Sequence, residues 1–159
     1  MIALAESLGR RLKAKGALLV TAESCTGGWA AQAVTAVAGA SDWFERGFVT
    51  YSNDAKAELL GVRRETLERH GAVSEETARE MALGALANSR GTLALAITGV
   101  AGPGGGSPGK PVGTVCFAWA ARGAAVRSET RHFQGDREAV RRQSVERALE
   151  GALEHLDGG

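Results

Sequence analysis

The stretch "LLVTAESCTGG" (residues 18–28) decides the fold. An apolar run, Ala17 to Ala22, stops at a polar turn that ends in two glycines. From Gly27 to Ala38 the chain has no proline, and Ala30, Ala31, Val34 and Val37 recur at helical spacing. A short buried strand handed through a turn to a helix opens a crossover unit, and such units build parallel sheets covered by helices.

Upstream, Leu4, Leu8 and Leu12 recur every four residues and Gly16 stands where a helix would end, which predicts a first helix. Downstream, Phe48 to Tyr51 reads as a second strand. Ser52 or Asn53 caps a helix running to about Leu60, and a short helix follows at 64–69. Ser74 caps a longer helix whose inner face carries Ala78, Met81, Ala82 and Ala85. Thr92 to Ile97 is a third strand, and "GVAGPGGGSPGKPV" (99–112) is a loop. Thr114 to Ala121 and Ala125 to Phe133 form a hairpin through Arg122 and Gly123. Asp136 caps a last helix with Val145, Leu149, Leu153 and Leu156 along one side. The fold expected is α/β: a three-layer α/β/α sandwich with a mostly parallel mixed sheet, forming a single domain over 1–159.

Composition narrows the function. The net charge of +1, with 23% charged and 44% hydrophobic residues, suits a globular protein and predicts no nucleic-acid partner. The apolar runs fall far short of the about 20 residues needed to cross a bilayer, so no membrane partner is expected. Glu6 interrupts the apolar start, which fits an amphipathic helix better than a leader. Cys25 and Cys116 have no paired spacing, so neither a disulfide scaffold nor a zinc site is expected. No His/Cys/Asp/Glu cluster has metal-ligand spacing, and no cofactor is called for. A cytoplasmic location follows from this cysteine usage. The many alanines and glycines suit close packing and are compatible with a homo-oligomer.

In open α/β sheets ligands bind beyond the carboxyl ends of the strands. Three polar segments are expected there: "ESCTGG", "YSNDAK" and "TGVAGPGGG". Ser24 can act as a nucleophile on the strand-to-helix turn, with nearby backbone N–H groups at Thr26, Gly27 and Gly28 receiving an oxyanion. It can equally serve as a helix cap, as can Thr26. A serine needs a base, and no histidine stands in the three segments, which argues against a Ser-His-Asp triad. Lys56, five residues after Tyr51, fits if burial makes it neutral; a solvated helix lysine is the alternative. Cys25 is a rival nucleophile, with Glu23 and Lys56 as partners. Gly104 to Lys110 matches the start of a phosphate-binding loop. Pro111 replaces its hydroxyl residue and a strand follows, so that reading is rejected. Thr98, Gly99 and Gly102 close a strand near the expected ligand. Arg137, at the start of the last helix, offers a phosphate donor, while Arg141 and Arg142 read as a solvated face.

Together "TAESCTGG" (21–28), "WFERGFVTYSNDAK" (43–56), "GAVSEETAREMA" (71–82), "ITGVAGPGGGSPGKPVGTV" (97–115) and "GDREAVRRQ" (135–143) resemble the CinA C-terminal domain family, whose stand-alone form is a nicotinamide-nucleotide amidase. The resemblance covers almost the whole chain. It implies hydrolysis of nicotinamide mononucleotide to nicotinate mononucleotide and ammonia. Ser24 would be the nucleophile, Tyr51 and Lys56 its activating partners, and Thr98 and Arg137 ligand-binding residues. A non-catalytic nucleotide-binding module, a Cys25-dependent amidase and a structural partner domain are the competing readings.

Overall fold

The computed structural model describes residues 1–158; Gly159, the last position of the expected 1–159 domain, lies outside the described residues. Strand β1 (Leu19–Glu23) runs between β2 (Phe44–Val49) and β3 (Leu93–Gly99), parallel to both. Strand β4 (Thr114–Ala121) pairs antiparallel with β3, and β5 (Arg127–His132) pairs antiparallel with β4. The five-stranded sheet has the order β2-β1-β3-β4-β5, so the three parallel strands bring their carboxyl ends to one edge.

Alternation along each strand separates two cores. On β4, Val115, Phe117 and Trp119 face one side while Cys116, Ala118 and Ala120 face the other. The large side chains meet α1 (Ile2–Lys15), α2 (Trp29–Thr35) and α6 (Arg137–Gly158). Leu8, Leu12 and Leu149 are fully buried in that layer, and each such leucine contributes about 1.5–3 kcal/mol. The small side chains meet α5 (Glu75–Ala87), against which α3 (Asn53–Leu60) and α4 (Arg64–His70) pack. A Cβ on Gly84 of α5 would collide with the Leu60 carbonyl, so this glycine lets α3 sit close to α5.

Helix boundaries follow local chemistry. The Ser52 hydroxyl accepts from the Ala55 N–H and the Ser74 hydroxyl from the Thr77 N–H, as the caps predict. Asp136 does the same for Ala139 at the start of α6. Gly16 closes α1 in the left-handed conformation. The helix expected from Gly27 to Ala38 is shorter, because Gly27 and Gly28 hold φ of 58° and 104° outside it. Strand β2 begins at Phe44 rather than Phe48. It is an edge strand, whose polar residues Glu45 and Arg46 are tolerated because only one neighbour pairs with it. Strand β3 extends through Thr98 and Gly99, and β1 through Glu23. Segment 99–112 joins antiparallel strands with no helix after it, in keeping with the rejected phosphate loop.

Candidate active site

Because successive strand residues point to opposite faces, Glu23 and Ser24 part company. Glu23 turns to the α2 side and is fully buried. Its carboxylate accepts from the Ala30 and Ala31 N–H groups at 2.8 and 3.1 Å and from the Thr26 hydroxyl at 2.6 Å. A carboxylate at a helix N-terminus satisfies open amides and complements the helix dipole. Glu23 is therefore a helix anchor, and the Glu23–Lys56–Cys25 arrangement does not form.

Ser24 emerges on the α3 side, where Lys56 reaches it. Ser52 caps α3, which places Lys56 in the first turn with its side chain directed back to the sheet edge. Lys56 Nζ lies 3.0 Å from Ser24 Oγ, 2.9 Å from the Thr50 carbonyl and 3.1 Å from the Tyr51 carbonyl. Only 1% of Lys56 is exposed. Burial pushes its ammonium below the ordinary 10.5, and Cys25 opposes this only where its thiol is ionised. No carboxylate among the described residues pairs with it. In the neutral amine, two N–H bonds serve the two carbonyls and the lone pair faces Ser24, whose hydroxyl then donates. The solvated-lysine alternative fails.

Tyr51 is split between two tasks. Its carbonyl holds Lys56, and it lies 3.5 Å from Ser24 Oγ. Its side chain is 62% exposed, and the phenol oxygen accepts from an Arg137 N–H at 3.3 Å. The phenol makes no hydrogen bond to Ser24 or Lys56 among the described residues, so a proton relay through it needs that hydroxyl to leave Arg137. A second Arg137 nitrogen donates to the Gly102 carbonyl at 2.8 Å, tying α6 to the glycine loop.

These groups line a cleft of about 290 Å³ together with Cys25, Thr98, Gly99 and Gly102. Thr98 is buried, and its hydroxyl donates to the Ala72 carbonyl at 2.8 Å, so it also ties the segment before α5 to β3. A Cβ on Gly99 would crowd Val115 and the Thr114 carbonyl. Thr26, Gly27 and Gly28, expected around the ligand, do not line the cleft. Thr26 turns inward to Glu23, and the Gly27 N–H is taken by the Ser24 carbonyl. The amides of Cys25, Thr26 and Gly28 form no hydrogen bond among the described residues, and of these three residues only Cys25 lines the cleft beside Ser24. The Cys25 thiol itself packs in the core, and burial together with nearby Glu23 pushes it up to about 12. It stays protonated and is a poor nucleophile. Arg141 is a second correction: it is not solvated but reaches the Cys25 and Thr26 carbonyls. Only Arg142 joins the exposed face, paired with Glu138.

A larger depression of about 780 Å³ flanks α5, bounded by Glu75, Arg79, Lys110, Cys116 and His132. Its polar groups answer one another, with Ser128 and Thr130 donating to Glu75 and Lys110 to the His70 carbonyl. Neither Ser24 nor Lys56 reaches it. No group of His, Cys, Asp and Glu among the described residues is arranged to hold a metal ion. Among the described residues no helix is long and apolar enough to cross a membrane.

Residues 1–156 match the CinA C-terminal domain. The chain belongs to this family. It is 58% identical to nicotinamide-nucleotide amidohydrolase PncC of Escherichia coli (strain K12), over 94% of this chain and 91% of that protein. The protein of the same name from Pseudomonas putida is 54% identical, over 95% of this chain and 94% of its own. Among solved structures, a CinA superfamily protein from Klebsiella pneumoniae 700603 superposes with a TM-score of 0.95 at 44% identity, covering 99% of this chain and 98% of the other. Family membership and the α/β fold expected from the sequence are thereby established.

Proposed function

We propose that this chain hydrolyses the carboxamide of nicotinamide mononucleotide to nicotinate mononucleotide and ammonia, as one amidohydrolase unit with Ser24 as nucleophile and Lys56 as base. The observation that carries this reading is the 3.0 Å contact between Ser24 Oγ and a buried Lys56 that no carboxylate pairs with. Desolvation does for lysine what lies ready in a histidine: it favours the neutral form that can take a proton. The activity printed in the names of the PncC relatives supplies the substrate.

Ser24 Oγ attacks the amide carbon while its proton passes to Lys56 Nζ. The Cys25 N–H receives the oxyanion. The tetrahedral adduct collapses, the C–N bond breaks, and ammonia leaves with the proton from Lys56. Water then adds to the acyl-serine, giving its proton to Lys56, which returns it to Ser24 as the ester breaks. Tyr51 steadies the amine through its carbonyl. The free N–H groups of Arg137 and the amino end of the long helix α6 attract the nucleotide phosphate.

The test is ammonia release from nicotinamide mononucleotide and from free nicotinamide, by the native chain and Ser24→Ala. The native chain is expected to prefer the nucleotide, and Ser24→Ala to release ammonia about 10⁴-fold more slowly. Undiminished release by Ser24→Ala rejects the serine mechanism. Equal rates on both substrates reject the phosphate anchor.

A further inference from the structure

Residues 24–27 form a tight turn closed by the Gly27 N–H on the Ser24 carbonyl at 3.0 Å, with Gly27 at φ 58°. The peptide linking Cys25 and Thr26 is the centre of that turn. Turn types differ mainly in which way this central peptide faces, so it can flip while the ends stay nearly in place. A flip reverses carbonyl and N–H together, since the peptide is planar.

One side chain lies across this peptide from behind. Arg141 Nε donates to the Cys25 carbonyl at 3.1 Å, and a terminal nitrogen donates to the Thr26 carbonyl at 3.2 Å. The guanidinium itself is held over the Trp29 ring, 5.6 Å from its centre. Position 27 suits this approach, because a Cβ there would stand 3.3 Å from the Arg141 nitrogen. A planar fork of donors fits two adjacent carbonyls in a way that a lysine ammonium does not.

We propose that Arg141 is a positioning residue of the nucleophile turn: by holding the Cys25 and Thr26 carbonyls it keeps the central peptide from flipping. It thereby keeps the Thr26 N–H, which belongs to the same peptide, facing away from Arg141, and steadies the backbone on which Ser24 and the Cys25 N–H sit. The inference rests on the amidase reading above. Glu23 braces the same turn from the α2 side through the Thr26 hydroxyl. The Arg141 charge also reaches the site, since it draws the Cys25 thiol downward against burial and Glu23. Arg142 supplies the control. It stands over the same Trp29 ring at 5.4 Å but bonds to no carbonyl of the turn.

The experiment compares kcat and KM for ammonia release from nicotinamide mononucleotide, with thermal unfolding, for the native chain, Arg141→Gln, Arg141→Lys and Arg142→Gln. Arg141→Gln is expected to lower kcat by about 10- to 100-fold with KM within about threefold, the size of loss that a small misplacement of reacting groups causes. Arg141→Lys recovers part of the loss, because its ammonium reaches one carbonyl. Arg142→Gln leaves kcat within about twofold, as a surface change away from the reacting groups should. A kcat for Arg141→Gln near the native value overturns the proposal, as does a rise in KM alone or an equal loss in Arg142→Gln. If Arg141→Gln does not fold, Arg141→Lys decides: a lower kcat at unchanged Tm supports positioning, and a lower Tm at unchanged kcat overturns it. An inactive native chain rejects the amidase reading and this inference with it. An active native chain with an unaffected Arg141→Gln rejects this inference alone.

Discussion

Two long basic side chains of this molecule, the buried Lys56 and the half-buried Arg147, meet opposite partners. Arg147 on α6 donates to both oxygens of Glu129 on β5, at 2.7 and 2.9 Å, and to Glu154 at 3.0 Å. Its guanidinium also stands over the Trp119 ring. Hydrogen bonds to Glu129 and then Glu154 hold Arg147 even more firmly charged than usual. Lys56 meets only carbonyls and a hydroxyl, and burial pushes it toward neutrality. Withdrawal from water thus leaves a firmly charged cation where carboxylates answer it, and where they do not an amine pushed toward neutrality, suited to the base role proposed above. One of these regions is built to hold, and the other, in the proposed mechanism, to react.

The comparison breaks first at the reacting end. Ser24→Ala and Lys56→Met are each expected to lower kcat by about 10⁴-fold, and Lys56→Arg to restore nothing, because a guanidinium does not give up its proton. The check is ammonia release from nicotinamide mononucleotide. At the holding end, Arg147→Met should cost only about 1 kcal/mol of stability, because Glu129 is half-buried and keeps its bond from Arg131. Its kcat should match the native value, and urea unfolding with a parallel assay tests both halves.

The contrast also has a pH signature. The folded value of Lys56 lies below its unfolded value, so between the two the unfolded chain binds more protons and stability rises with pH toward 10.5. The stability difference between the native chain and Lys56→Met should therefore grow in favour of the native chain as pH rises through that window. Activity follows the neutral amine: kcat/KM should fall about tenfold per pH unit below the Lys56 value. A profile flat down to the carboxylate range would exclude lysine as base. The smallest effect belongs to Cys25→Ala, whose kcat should stay within about threefold of native, since a thiol pushed up to about 12 contributes no thiolate near neutrality. Loss of all activity there would move the nucleophile to Cys25.

Legibility differed between elements for physical reasons. The caps of α3 and α5 and the end of α1 were readable because Ser52, Ser74 and Gly16 act on backbone within a few residues. Ser24 and Lys56 were legible as candidates, since a hydroxyl on a strand-to-helix turn and a lysine in the first helical turn are local facts. Arg141 was not. Its donors meet carbonyls about 115 residues upstream, and on its own helix it looks like any exposed arginine beside Arg142. Glu23 was misplaced for a related reason. A carboxylate beside two possible nucleophiles invites a catalytic role until the strand's alternation turns it to the other face.

By itself the sequence determined the order of strands and helices, the parallel start and antiparallel finish of the sheet, and the three segments that meet at its edge. Those follow from periodicity, turn residues and caps, which act over short distances along the chain. Only the tertiary structure decided which groups are charged and which are aimed. Neutralising Lys56 needs every neighbour that excludes water from it, and holding the serine turn needs a helix from the far end of the chain.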